Sequence, residues 1–192
     1  MPDSSSSLRS HLLIAMPSLH DTHFSRSVTL ICEHSLQEGA MGIILNQPSS
    51  IDISDLLSEM DVYIEEDLTK HHLSTPIFSG GPVEKDRGFI LYNSEIEHES
   101  DLEILPELFL TSSKDMLTKI ASGQAPDNTL VMLGYAGWSP GQLEEEIAAN
   151  AWLTSPYHHH LVFNTPSDQQ WLAAGTILGV DLNLLSSQTG HA

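Results

Sequence analysis

Cys32 and His34 stand two residues apart in the alternating stretch Val28 to His34. On a strand that spacing sets both side chains on one face, the arrangement a thiolate and its base require. Their companions on that face are Val28 and Leu30. A face so apolar reads as core, where a free cysteine behaves as a small hydrophobe and not as a nucleophile; His34, at the strand end, reaches a pocket. His158, His159 and His160, with His71 and His72, raise metal binding. Adjacent histidines on a strand point to opposite faces, however, and no cysteine or carboxylate falls at a known ligand spacing, so we expect no metal and no cofactor. Gly80-Gly81-Pro82 has the backbone for an anion cradle, but no helix start follows it and no Walker-type Gly-Lys-Ser/Thr accompanies it, which favours a tight turn. The turn at Gly137 leads into a helix start at Ser139, yet Glu144, Glu145 and Glu146 already meet the positive end of that helix, which argues against phosphate. The triple glutamate reads as a solvated helix face and not as an acid and base pair. Arg26 and Arg87 admit two readings: ordinary surface ion pairs, or planar forks for an anionic ligand or an acidic partner segment. No catalytic set is complete.

The elements that must position these groups centre on Leu130 to Leu153. An apolar strand, Leu130 to Leu133, enters a glycine-punctuated turn (Gly134, Gly137) and then a helix with Ser139 as N-cap, Pro140 at the first position and Gln142 as the capping-box partner. Leu143, Ile147 and Ala151 form its docking face, and Trp138 and Trp152 at its two ends are expected to pack on the sheet. Further strands are expected at Leu12–Met16, Val28–His34, Ile43–Leu45, Pro76–Phe78, Phe89–Tyr92 and Leu161–Phe163. Helices are expected after Asp52, with Asp55 as box partner and Ile53, Leu56, Leu57 and Met60 inward, and after Ser112, with Met116, Leu117, Ile120 and Ala121 buried and Gly123 as stop. A last helix follows Thr165-Pro166, with Trp171, Leu172, Gly175 and Leu178 inward and Gly179 as stop. Asp61 to Thr75 reads as irregular, the acidic segment Asn93 to Glu107 as cover for a sheet edge, and residues 1–10 and 186–192 as mobile tails. Strands cluster early and helices late, which predicts an α+β arrangement with a mixed sheet.

The 192 residues fit one domain spanning 1–192. Seven Lys and Arg against 26 Asp and Glu give a formal net charge of −19, and the seven are scattered in sequence. A surface so acidic opposes direct nucleic-acid binding and anionic membranes. No apolar run approaches the roughly 20 residues that span a bilayer, the start lacks the order of a secretory signal, and the single cysteine, Cys32, excludes an internal disulfide. The expected location is the cytoplasm.

In their order these segments resemble the YqgE/AlgH family of bacterial proteins. The resemblance rests on LLIAMP (Leu12 to Pro17), the Asp21, Phe24, Arg26, Ser27, Val28 pattern, CEH at Cys32 to His34 and GAMGIILNQP from Gly39 to Pro48. It continues through GGPV at Gly80 to Val83, RGFIL at Arg87 to Leu91, Thr111 with Ser112 and Asp115, and GYAGWSPGQLEEEI with Asn150, Ala151 and Trp152. Tyr92 departs from it, standing where the family pattern carries histidine. The resemblance implies an α+β fold whose mixed, bent and branching sheet closes into a pseudo-barrel flanked by about four helices. For function it implies the family's description as a transcriptional regulator, named for a role in regulating alginate synthesis, with no enzymatic activity attached. The resulting expectation is a cytoplasmic, non-enzymatic regulatory or accessory protein that acts through contacts with a protein partner. The alternative is a small-molecule or anion-binding protein, or an enzyme, with a polar pocket drawn from Arg26, His34, Asn46, Arg87, Thr111, Ser112 and Gln142 beside Trp138.

Overall fold

The computed structural model describes residues 7–59, 76–95 and 101–185. In chain order the elements are β1 (His11–Ala15), β2 (Val28–Ser35), β3 (Gly39–Ile44), β4 (Pro48–Asp52), α1 (Ile53–Glu59), β5 (Pro76–Ser79), β6 (Val83–Asn93), β7 (Leu102–Leu105) and β8 (Leu108–Thr111). They continue with α2 (Lys114–Ala121), β9 (Thr129–Trp138), α3 (Gln142–Ala148), β10 (Trp152–Pro156), α4 (His159–Phe163), α5 (Ser167–Ile177) and α6 (Leu182–Leu185). Leu130 to Trp138 is therefore one strand, and the turn expected at Gly134 and Gly137 is absent.

β9 organises the sheet. One of its edges pairs antiparallel with β6, through Phe89↔Met132 and Tyr92↔Thr129. Its first half also pairs in parallel with β5, through Ile77↔Val131, and its last residues pair antiparallel with β3, through Ala40↔Trp138. The change of partner falls at Gly134, whose φ of 73° is left-handed. Gly80 and Gly81 cross there so closely that a Cβ on Gly80 would overlap the carbonyl of Gly134 and one on Gly81 that of Tyr135. The Gly80 N–H donates to the Leu133 carbonyl, and its own carbonyl accepts from Ile44. These glycines permit two backbones to touch at the branch of the sheet, a use only residues without a side chain serve.

The sheet runs β10-β1-β2-β3-β9-β6-β8-β7, with β4 and β5 as a side wing. All pairs except β5–β9 are antiparallel. The branching expected from the family resemblance is present, and among the described residues the closure is not: β10 and β7 are ends that do not meet. In place of a backbone ladder, the guanidinium of Arg9 reaches from the start of the chain to the Glu103 carbonyl on β7.

The middle of the sheet is covered on both faces, so β1, the Phe89–Tyr92 part of β6 and most of β8 read as apolar runs. Leu12, Ile14, Leu30, Leu91 and Met132 join one core with α4, α5 and α6; Ile90, Tyr92 and Val131 face α1 and α2 on the other side. Leu13, Ala15 and Ile31 meet α3 in a third cluster. Local signals placed several elements well. Asp52 accepts from the N–H groups of Ser54 and Asp55, and Asp55 accepts from that of Asp52, a reciprocal box that opens α1. Gly123 (φ 66°) ends α2, and Gln124 N–H closes on the Lys119 carbonyl.

Other expectations are corrected. Six helices flank the sheet among the described residues, not four. The cap of α2 is Ser113, one residue beyond Ser112. α3 starts at Gln142 after Gly141, not at Pro140, although Gln142 does reach back to accept from Ser139 N–H at 3.0 Å. It ends at Ala148, where Asn150 turns left-handed (φ 58°) and sends Trp152 into β10 against β1. Leu161 to Phe163 is helical, since three apolar residues in a row carry no period. On α5, Gln170, Trp171, Ala174 and Gly175 are buried, whereas Leu172 is exposed. Residues 7–10 are not a loose tail: Ser10 N–H donates to Ile31, and Leu8 packs beside α3. Met60, 61–75 and 186–192 lie outside the described residues.

Candidate functional site

The residues singled out from the sequence separate into three places. The first surrounds α3. Trp138 ends β9 and Trp152 opens β10; their indole N–H groups both donate to Oε2 of Glu146, at 3.0 and 2.8 Å, while the Gln142 amide donates to Oε1 at 2.9 Å. Phe24 packs on both indoles, with centroids 6.0 and 5.5 Å away. Buried indole N–H groups need acceptors, and a helix carboxylate one turn after Gln142 supplies both. Glu144 also has a specific partner, so only Glu145 of the triple glutamate remains a plain solvated side chain.

That partner is His34, whose side chain is 2% exposed and whose Nε2 lies 2.7 Å from Glu144. Nδ1 accepts from the Leu8 N–H at 2.9 Å, which leaves the ring proton on Nε2, directed at the carboxylate. Cys32 faces elsewhere, in the main core with Leu30 and Ile43. The register of β2 against β3 slips between Ile31 and Glu33, and this bulge turns His34 toward α3, so the thiol and imidazole do not share a face. Burial pushes the Cys32 thiol far above its ordinary range, the opposite of an activated cysteine.

The second place is a cleft of about 710 Å³ between the β2–β3 hairpin and the β7–β8 edge, where closure of the sheet fails. Met41, Phe89, Leu110 and Tyr135 supply its apolar walls, and Glu33, Arg87, Asp101, Thr111, Ser112 and Ser113 its polar rim. Arg87 lies over the Phe89 ring, 5.0 Å from its centroid, and pairs with Glu84 at 3.0 Å. Thr111 Oγ1 accepts from Ser113 N–H. Tyr92 stacks on Phe109 beneath this region and donates to Asp101 at 2.6 Å. Its burial, then that carboxylate, push its hydroxyl up.

The third place holds Arg26 and Asn46, by the start of β2 and away from Glu33 near its end, against Trp171 of α5. It shares no lining residue with the cleft, so the single pocket expected from seven residues is replaced by separate sites. Both border the core that α5 covers, but at different ends of β2, with Trp171 at one and Phe89 at the other. Sequence reasoning missed Glu33, Tyr135, Glu146 and Trp171. For Glu146 a signal existed, because two tryptophans flanking a helix require a nearby acceptor.

Among the described residues no group of three or more His, Cys, Asp or Glu could hold a metal ion. His159 contacts Tyr157, Asn128 and the Phe163 ring, and His71 and His72 lie outside the described residues. No described helix is long and apolar enough to cross a membrane.

A family model described as AlgH-like matches residues 12–183. A UPF0301 protein of Nitrosococcus oceani is 47% identical over 184 residues, 96% of each chain, and one of Shewanella sp. (strain ANA-3) is 46% identical over 186 residues. The solution structure of the AlgH protein from Pseudomonas aeruginosa matches with a TM-score of 0.77 at 41% identity, covering 100% of both chains. A crystal structure from Corynebacterium diphtheriae, at 21% identity and a TM-score of 0.71 over 97% of this chain and 94% of its own, shares the fold.

Proposed function

The chain belongs to the AlgH-like family, and from that premise we propose that it is a cytoplasmic, non-enzymatic regulatory or accessory protein that acts through protein contacts at the cleft beneath Arg87. The observation that carries this reading is the make-up of the cleft, an open trough with apolar walls and a rim of hydroxyls and mixed charges. Such a surface combines area to desolvate with polar groups that fix register. The side chains with intrinsic reactivity serve the fold instead: Cys32 is core, and His34 is held between Glu144 and Leu8. With a net charge of −19, any effect on transcription runs through a protein and not through DNA.

The test is a photocrosslinking residue at Ser112, which is exposed at the rim, used in cells of the source organism with a probe at exposed Ile177 as control. The captured protein is then purified and titrated against the parent and Ser112→Trp. The reading expects binding that Ser112→Trp weakens at least tenfold, about 1.4 kcal/mol, with an unchanged thermal midpoint. Equal affinity for both, or identical capture at Ile177, rejects the cleft as the contact site.

One observation favours a second reading: a volume of about 710 Å³ lies within the roughly 300–1,000 Å³ of small-molecule pockets. A thermal-shift screen separates the two, since a ligand at 100 times its dissociation constant adds about 2.7 kcal/mol of stability.

A further inference from the structure

We infer that Arg26 anchors a second binding site, independent of the cleft, for a small carboxylate-bearing ligand. In a chain with 26 acidic residues, Arg26 makes no ion pair with a carboxylate among the described residues. Its guanidinium instead lies over the Trp171 ring, 5.2 Å from the centroid. The ring is itself fixed, being 5% exposed with Nε1 donating to the Ala15 carbonyl at 2.8 Å. A guanidinium held over the ring in this way keeps N–H donors that no described carboxylate engages.

The backbone is held as firmly. Arg26 has a left-handed φ of 55°, a conformation that glycine adopts without strain and arginine does not. The Asn46 amide holds it there, donating to the Arg26 carbonyl at 2.9 Å and accepting from Val28 N–H at 2.8 Å. What arginine adds at this position is its guanidinium, set in advance on a rigid plate. Pre-organisation of this kind removes the ordering cost that weakens flexible cationic sites.

Two cavities flank the side chain. One, of about 230 Å³, has Ser25, Asn46, Gln47, Ser167 and Asp168 along its walls; the other, of about 250 Å³, has Pro17, His20, Ser25 and Asn183. Arg26 and Trp171 line both. Spaces this small suit a compact acid. The planar fork matches a carboxylate through two parallel N–H···O bonds, and Ser25 and Ser167, which line the same space, bring hydroxyls that can donate. Asp168 on the wall opposes a doubly charged phosphate more than a singly charged carboxylate. A free small acid and the terminal carboxylate of a peptide offer the same chemistry.

The experiment titrates the full chain with propionate, succinate, inorganic phosphate, and the peptide Gly-Gly-Ala as free acid or as amide. It follows Trp171 indole and arginine side-chain signals by NMR. Saturable shifts are expected with carboxylates, weaker ones with phosphate and none with the peptide amide; whether the small acids or the free-acid peptide saturate first identifies the source. Arg26→Gln should weaken binding by roughly tenfold or more. Arg26→Gly should abolish it while leaving the thermal midpoint equal or higher, because the strain is relieved. Shifts that stay linear in ligand, that persist in Arg26→Gln, or that saturate only with phosphate overturn the assignment.

Discussion

Trp138→Ala tests how the stretch from β9 to α3 is held. The indole is 5% exposed, packs against Phe24 and Trp152 at 6.0 and 6.2 Å between centroids, and donates to Glu146. Truncation leaves a large cavity in the cluster under α3. Removing a buried large aromatic costs about 3–5 kcal/mol, including the lost aromatic pairs. Set against the roughly 5–15 kcal/mol that holds most domains folded, this is a large fraction of the whole. For a chain of 192 residues each kcal/mol lowers the midpoint by about 2–4 °C, so the expected fall is roughly 6–20 °C. The assay is thermal and urea unfolding followed by far-ultraviolet circular dichroism. Trp138→Phe is the control, since it keeps an aromatic ring in the site while losing the N–H and part of the packed volume, and its midpoint should fall between those of the parent and Trp138→Ala. Glu146 then still accepts from Trp152 and Gln142. A Trp138→Ala midpoint within error of the parent would refute the packing argument and mark this corner as a contact surface.

Cys32 should react with thiol reagents only as fast as the native chain opens, and Cys32→Ser should lower stability by about 1–3 kcal/mol while keeping the fold; rapid native-state labelling at neutral pH would contradict this. The folded-state pKa of Cys32 is raised from about 9 by burial, and that of Tyr157 from about 10 to about 12 by burial. Groups whose folded values lie above their unfolded ones favour folding below the unfolded pKa and lose that contribution as pH rises. Urea midpoints should therefore fall above about pH 9, less steeply in Cys32→Ser; a flat alkaline profile would count against the buried thiol. His34→Ala removes the acceptor for Leu8 N–H, so hydrogen exchange at Leu8 and Ser10 should accelerate while that of β9 stays slow. Unchanged exchange at Leu8 would show that the N-terminal segment is held by other contacts. No sequence-specific duplex binding is expected at physiological salt from a chain of net charge −19; sub-micromolar binding that survives competitor DNA would overturn this.

What the sequence by itself determined is local. The Asp52–Asp55 box, the Gly123 stop, the reach of Gln142 back to Ser139 and the apolar faces of α1 and α2 each depend on residues within about five positions of one another. β1 was legible as an apolar run covered on both faces, and β2 from the alternation of Val28, Leu30 and Cys32. Tertiary structure alone decided the rest. Gly134 reads in sequence as a turn, yet it bends a continuous strand where the distant Gly80 and Gly81 cross it. Cys32 and His34 alternate in sequence, yet the bulge against β3 sends one into the core and the other to Glu144. The expected pocket divided because Arg26 precedes the start of β2, against Trp171, while Arg87 lies over Phe89 beside Glu33 near the other end of β2, in a sheet whose strand order no local pattern encodes. Periodicity tells which residues of an element leave water together; the partner across the ladder, fixed by hydrogen bonds between distant segments, sets where those faces point and which side chains meet.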